Sequence, residues 1–186
     1  YLICATALWG GNIVVAKIAS NIMLEPIKLS FFRNLVVIFI LFPFAFNKLI
    51  TNQKVYIKNW KIITLLSLLS VSIFNTAMNI ALTTTSVISS SLMPAFAPAL
   101  IILLSFLIYK STITFFQSIG VVVSFFGFIT IVLRGNLVNL SQLDFVTGDL
   151  WMLSAVVCWA IYSVLLKKIP KNFDSIVFLF LIFFIG

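Results

Sequence analysis

The sequence predicts an all-α, polytopic membrane helix bundle. Of its 186 residues, 62% are hydrophobic and 9% are charged, and the mean hydropathy is +1.23. Soluble domains average about 45–50% apolar and about 25% charged residues. The apolar residues form segments of about 20, the length that an α-helix needs to cross a ~30 Å hydrocarbon core. Basic residues cluster between these segments, so the formal charge of +8 indicates membrane topology and no nucleic-acid partner.

Six complete spans and the start of a seventh are expected. Most connections are short, which makes consecutive helices antiparallel neighbours. The chain begins and ends inside apolar segments, so we expect it to be truncated at both ends. The predicted spans cover residues 1–20, 27–46, 61–82, 86–108, 113–133 and 148–168, and the seventh begins at residue 175.

The basic residues set the expected orientation. Most of the 12 lysines and arginines follow the even-numbered spans, and the positive-inside rule assigns that side to the cytoplasm. The N-terminus is then cytoplasmic, in an integral protein expected in a bacterial inner membrane, and residues 134–147 are external. The basic residues on the cytoplasmic side are Lys48, Lys54, Lys58, Lys61, Lys110, Lys167, Lys168 and Lys171.

An internal repeat links the first and sixth spans. The stretch WGGNIVVAK, from Trp9 to Lys17, is echoed by WAIYSVLLK, from Trp159 to Lys167. Because five spans separate the two copies, they run in opposite directions, which predicts an inverted-topology repeat of the kind found in transporters. Residues 1–147 would form the first repeat and residues 148–186 the start of the second. The alternative is that two membrane helices with Trp and a terminal Lys resemble each other by chance.

Polar residues in the first two spans are the first candidates for a site. Asn12 needs hydrogen-bond partners in a medium without water, so it either joins helices or faces a cavity. Arg33 lies about two turns into the second span, where an arginine facing lipid is costly. We expect it to face the interior, the alternative being extension to the headgroups. Lys17, near the end of its span, either reaches the headgroups or contacts a ligand.

The third, fourth and sixth spans add further candidates. A polar stripe on one face of the third span either forms interhelical hydrogen bonds or lines a cavity, and its members are Ser72, Asn75, Thr76, Asn79 and Thr83. Pro94 and Pro98 remove backbone donors and should bend the fourth span. In the sixth span, Trp159 and Tyr162 should face the interior, because inverted repeats place substrate sites at their interface. The full set of candidate cavity-lining residues is Trp9, Asn12, Arg33, Asn75, Asn79, Ser90, Pro94, Trp159 and Tyr162.

In this order, the segments resemble the EamA-type family of the drug/metabolite transporter superfamily. The resemblance is carried by WGGNIVVAK, by Pro26 with Arg33, by SVISSSLMPAFAPALIILLSF, and by GDLWMLSAVVCWAIYSVLLKK. It implies a ten-helix protein of two inverted five-helix halves, of which this chain is the first half and the start of the second. It also implies a central cavity and alternating access. In one turn the chain departs from the pattern, with Tyr109, Lys110 and Ser111 in place of Leu-Gly-Glu.

Two functions are compatible with these observations. The first is a secondary transporter for a small polar or zwitterionic metabolite, such as an amino acid, a nucleotide-related compound like S-adenosylmethionine, or a drug-like solute. In that case Arg33 would attract a carboxylate or phosphate. The second is a non-transporting structural or assembly subunit. The chain has no histidine and four acidic residues, none central in a span, so we expect no enzyme activity, no cofactor and no metal site.

Overall fold

The computed structural model describes residues 2–21, 26–132, 147–170 and 173–186. Over these ranges the chain is helical and contains no strand, which confirms the predicted all-α class. Lys171 and residues 134–146 of the expected external loop lie outside them. The helices are α1 (Leu2–Asn21), α2 (Pro26–Thr51), α3 (Gln53–Lys58), α4 (Trp60–Ser67), α5 (Phe74–Thr84), α6 (Val87–Leu92), α7 (Ala97–Tyr109), α8 (Phe115–Val132), α9 (Thr147–Leu165) and α10 (Ser175–Ile185).

Within the described chain, five helical segments are long and apolar enough to cross a membrane. They coincide with the second to sixth predicted spans and make the protein a multi-pass membrane protein. The first predicted span forms α1, a 20-residue helix that is not one of these five. Of the seventh, α10 supplies an apolar helix of 11 residues. The five segments are Ser30–Thr51, Trp60–Thr84, Ser89–Tyr109, Phe115–Val132 and Thr147–Lys168.

Two of the spans are irregular near their middle. The third contains a π-helical turn, Leu68–Ile73, between α4 and α5; such turns are frequent at functional sites. The fourth is interrupted where the prolines predict it, by a 3-10 turn over Met93–Phe96. Pro94 and Pro98 each occupy one of the first two positions of a helical piece. A missing N–H is tolerated there because the first N–H groups of a helix have no intrahelical partner.

Contacts between helix termini define two ends of the bundle. At the first, called the Asp174 end, Lys48 near the end of α2 forms a 2.7 Å ion pair with Asp174, which precedes α10. At the second, called the Thr85 end, the Thr85 hydroxyl donates a 2.6 Å hydrogen bond to Asp149 in the first turn of α9. Successive spans therefore run back and forth between these ends, as the short connections predict.

The core lies where α5 packs against α9. Ala77 and Ala81 of α5 and Met152 and Ala155 of α9 are almost fully buried in one cluster. Small side chains on both helices allow a close approach of their backbones, which is how membrane helices associate when the surrounding lipid is as apolar as the core. By contrast, no residue of α8 is buried against the rest of the described chain.

In the turn between α7 and α8, the residue that caps the end of α7 has an unfavourable backbone conformation, whereas the start of α8 is well capped. Lys110 ends α7 in the left-handed region, with φ of 51°. A residue with a Cβ atom is less stable there than glycine by about 1–2 kcal/mol. Thr114 and Gln117 then form a capping box at the start of α8, because each backbone N–H bonds the other's side chain, at 2.9 and 3.4 Å.

We expect Lys110→Gly to stabilise the protein by about 1 kcal/mol, because glycine adopts the left-handed conformation without a steric penalty. The measurement is thermal unfolding in detergent. Lys110→Ala is the control, since it removes the charge and keeps the Cβ atom. Equal unfolding temperatures for the glycine and alanine variants would show that backbone strain at this position is negligible.

Asp174 both caps α10 and binds Lys48. Its carboxylate accepts hydrogen bonds from the backbone N–H groups of Ile176 at 2.9 Å and Val177 at 3.4 Å. The Lys48 hydrogen bond, followed by these two backbone bonds, lowers the pKa of Asp174 below its usual value. A lowered carboxyl pKa in the folded state adds stability above the ordinary Asp pKa of about 4, and this contribution is lost as the pH falls through the lowered value.

Asp174→Asn should therefore unfold at a lower temperature than the parent protein at pH 7, and the gap should narrow as the pH falls below the ordinary Asp pKa of about 4. Asparagine is itself a good N-cap residue, so the comparison isolates the charge. Lys48→Gln should show the same pH dependence. A gap that persists unchanged in acid would mean that the ion pair contributes nothing and that only the cap differs.

Candidate functional site

A cavity of about 470 Å³ lies between α1, α5, α6, α7 and α9. This volume falls within the range of about 300–1,000 Å³ typical of small-molecule sites. Within the described part of the chain, none of its lining residues is charged. Its wall contains the aromatic side chains of Trp9, Phe74 and Trp159, the hydroxyl of Ser91, and both prolines of the interrupted fourth span.

Three of the ten described lining residues are aromatic, and they come from both proposed repeats. Trp9 on α1 and Trp159 on α9, the tryptophans of the predicted internal repeat, line the same cavity and are 39% and 38% exposed. The Trp159 ring centroid lies 5.0 Å from that of Phe74 and 5.2 Å from that of Tyr162. Tyr162 therefore supports Trp159 from behind and is not itself a lining residue.

Arg33 is bound to two asparagines on neighbouring helices and is not one of the residues that line this cavity. Its Nη1 donates a 3.0 Å hydrogen bond to Asn12 Oδ1 on α1, and its Nη2 donates to Asn75 Oδ1 on α5. The Asn75 Nδ2 in turn donates to the carbonyl of Ser70 in the π-helical turn, at 3.3 Å. These bonds use two of the five guanidinium N–H donors. Asn12 lies about one helical turn from Trp9, and Asn75 follows the cavity residue Phe74.

Asn79 joins α5 to α2 at a buried position. It is 3% exposed, and its Nδ2 donates a 2.6 Å hydrogen bond to Ser30 Oγ. Its Oδ1 is buried without a partner among the described residues. Ser72 and Thr76, from the same polar stripe, line a second cavity of about 380 Å³ between α2, the π-helical turn, α5 and α10. The stripe thus divides between interhelical hydrogen bonds, made by Asn75 and Asn79, and a cavity wall.

Ser91 lines the cavity, whereas its neighbour Ser90, the predicted lining residue, does not. Ser90 is buried, donates a hydrogen bond to the carbonyl of Ser86 at 2.8 Å, and is not a lining residue. Ser91 lines the cavity together with Pro94 and Pro98. The spacing of these three residues, i, i+3 and i+7, is that of one helix face and could have identified Ser91. Phe74 has no such signal, since it is one of 20 phenylalanines.

At the Thr85 end, polar contacts connect the three helices that carry the aromatic residues. The Lys17 Nζ on α1 donates hydrogen bonds to the carbonyls of Leu82 and Thr85, the latter at 3.1 Å. A cation at a helix C-terminus is favourable because the last carbonyls lack intrahelical partners. Thr85 also donates to Asp149 on α9. Lys17 is thus turned toward α5, an arrangement that neither of its predicted roles includes.

Comparison with known proteins matches the sequence to the EamA-like transporter family over residues 1–133. The chain belongs to the EamA-like transporter family. A 99-residue stretch, 53% of this chain and 32% of the relative, is 29% identical to the uncharacterized transporter YyaM of Bacillus subtilis (strain 168). The chain thus spans about a third of the length of that relative. No solved structure matches it.

The family match ends before α9, so it includes one side of the cavity and not the other. Trp9, Phe74 and Pro94 lie within residues 1–133, whereas Val156 and Trp159 lie beyond them. In this EamA-like protein, the cavity is completed by α9, which lies outside the residues that match the family.

The close contact between α5 and α9 depends on Gly148. A Cβ atom at this position would lie 2.6 Å from the carbonyl oxygen of Ala81 and 2.9 Å from the backbone nitrogen of Thr85. Backbone atoms cannot move away as the tip of a flexible side chain can. Any side chain at position 148 must therefore separate the two helices.

We expect Gly148→Ala to destabilise this EamA-like protein by about 1–3 kcal/mol, the usual effect of overpacking. Gly127→Ala in α8 is the matched control, since no described residue comes within 4 Å of a Cβ atom there. It should stabilise by up to about 1 kcal/mol, because alanine favours a helix more than glycine does. Thermal unfolding in detergent measures both. The same sign of change for the two variants would contradict the role of Gly148 in the close approach of α5 and α9.

Proposed function

We propose that this chain is part of a secondary transporter that carries a small metabolite through the aromatic cavity by alternating access. One observation carries the proposal. Trp9 and Trp159 occupy equivalent positions of the predicted internal repeat, lie on helices that run in opposite directions, and line one cavity. Carriers built from inverted repeats bind their substrates at the interface between the repeats. Membership of the EamA-like transporter family supports the same function.

The cavity and Arg33 together favour a zwitterionic substrate with an apolar body. The lining is mostly apolar and aromatic, so it suits a flat or branched hydrocarbon portion. Arg33 would supply a fixed positive charge near it, since its partner Asn12 lies about one helical turn from Trp9 and its partner Asn75 follows Phe74. A carboxylate or phosphate could bind the remaining guanidinium donors. Amino acids, S-adenosylmethionine-like compounds and drug-like zwitterions fit this description.

The alternative, a non-transporting assembly subunit, is favoured by a different observation. Arg33, Asn12, Asn75 and Asn79 all hydrogen-bond across helices. These bonds hold the bundle together whether or not a solute passes through it. The two functions differ in the role of the aromatic residues, which would contact the substrate in a transporter and only pack in an assembly subunit. The aromatic residues are therefore the ones to test.

Replacing Trp9 or Trp159 with alanine should change which labelled metabolites enter membrane vesicles while leaving the amount of folded protein unchanged. Trp60→Ala is the control, because Trp60 is exposed and does not line the cavity. Uptake of a panel of amino acids and nucleotide-related compounds is the measurement. A loss of folded protein with unchanged selectivity would favour packing, and no uptake of any panel member by the parent would favour the assembly subunit.

Arg33→Gln should reduce transport of carboxylate-bearing substrates about tenfold more than transport of purely cationic ones, a difference of about 1.4 kcal/mol. Arg33→Lys should lie between, because lysine keeps the charge but cannot bond both asparagines in the same geometry. Initial uptake rates for matched substrate pairs measure this. Equal losses for both substrate types would leave Arg33 as a structural tether.

A further inference from the structure

A chain of hydrogen bonds at the Thr85 end joins the helices that carry the aromatic wall of the cavity. Lys17 on α1 bonds the last carbonyls of α5, and Thr85, which follows α5, bonds Asp149 on α9. These helices carry Trp9, Phe74 and Trp159, respectively. Polar contacts at Thr85 therefore add to the apolar packing of these helices at this end.

The contact with α9 is buried and tight. Thr85 is 3% exposed and Asp149 is 5% exposed. Beside them, the backbone of Gly148 approaches α5 so closely that there is no room for a Cβ atom. Among the described residues, the Thr85 hydroxyl is the one side-chain partner of the Asp149 carboxylate, and desolvation offsets much of what such a buried contact adds to stability. The Thr85–Asp149 hydrogen bond connects the two proposed repeats, which is where a contact must break and re-form if the repeats move relative to each other.

The Asp174 end is held together by other contacts. There Lys48 and Asp174 connect α2 with α10. The Tyr109 hydroxyl on α7 donates a 3.2 Å hydrogen bond to the carbonyl of Val164 on α9. The two ends thus use separate sets of contacts, so one set can open while the other stays closed.

We propose that Lys17, Thr85 and Asp149 form a gate that closes the cavity toward the Thr85 end. The Thr85–Asp149 hydrogen bond connects the first repeat to the second, and it breaks when the cavity opens to that side. Lys17 is a positioning residue, because it holds the end of α5 at the place where Thr85 meets Asp149. The gate rests on the proposed alternating access, but its opening can be measured without knowing the substrate.

The test uses a single cysteine in the cavity wall. Ala95 lines the cavity and is replaced by cysteine in a background in which Cys4 is serine and Cys158 is alanine. The rate of labelling by a membrane-impermeant thiol reagent is measured from each side, in right-side-out and inverted vesicles. The charge distribution predicts that the Thr85 end is the external one.

Thr85→Val removes the hydroxyl donor at nearly constant shape and keeps the carbonyl that Lys17 bonds. We expect labelling from the Thr85 end to rise about fivefold to tenfold, the change in population when one net hydrogen bond is lost. Thr85→Ser keeps the hydroxyl and should behave like the parent. Asp149→Asn keeps a weaker acceptor and should give a smaller rise, about twofold to threefold.

Thr83→Val is the matched control, since the exposed Thr83 hydroxyl bonds only the local carbonyl of Ile80 among the described residues. It should leave the labelling rate unchanged. Lys48→Gln breaks the ion pair of the Asp174 end and should not raise labelling from the Thr85 end. If Thr85→Val does not fold, Asp149→Asn decides. Unchanged labelling in the folded Thr85 and Asp149 variants would overturn the gate. Absent transport with altered labelling would instead contradict only the proposed function.

Discussion

A polar group inside a membrane must find its partner within the protein, and in this chain that constraint converges on one helix. Residues of α5 bind polar side chains of two neighbouring helices. Asn75 binds Arg33 of α2, Asn79 binds Ser30 of α2, and a carbonyl near the end of α5 binds Lys17 of α1. Thr85 extends the series to α9. Because lipid offers no competing hydrogen bonds, these contacts determine which helices lie next to α5. The aromatic cavity is the space that this arrangement leaves.

The sequence predicts well those features that depend on local chemistry. Span length follows from apolar length alone, so five of the six complete spans coincide with helices of spanning length and composition. The break in the fourth span follows from Pro94 and Pro98, which lack a backbone N–H wherever they lie.

Other features depend on how each helix is rotated about its axis, and rotation is decided by packing between helices. Ser90 and Ser91 differ by one position, so about 100° of rotation separates them, and only the second lines the cavity. Phe74 and Gly148 belong to the same class. Neither stands out in the sequence, and both acquire a role because α9 packs against α5. Asn12 and Arg33 are recognisable from the sequence as interior candidates, but their bond to each other is not.

The π-helical turn at Leu68–Ile73 changes the rotation of the third span about its axis, so that the parts before and after the turn pack against different helices. Before the turn, Ile63 and Leu66 pack against residues of α10; after it, Ala77 and Ala81 pack against α9. One residue fewer in the turn would restore a continuous α-helix and rotate one part relative to the other by about 100°. The aliphatic contacts with α10 and the amide contacts with Arg33 could then not both be kept. The length of this stretch is therefore constrained independently of its composition: substitutions within it can be absorbed, whereas a single-residue deletion is transmitted along the whole span.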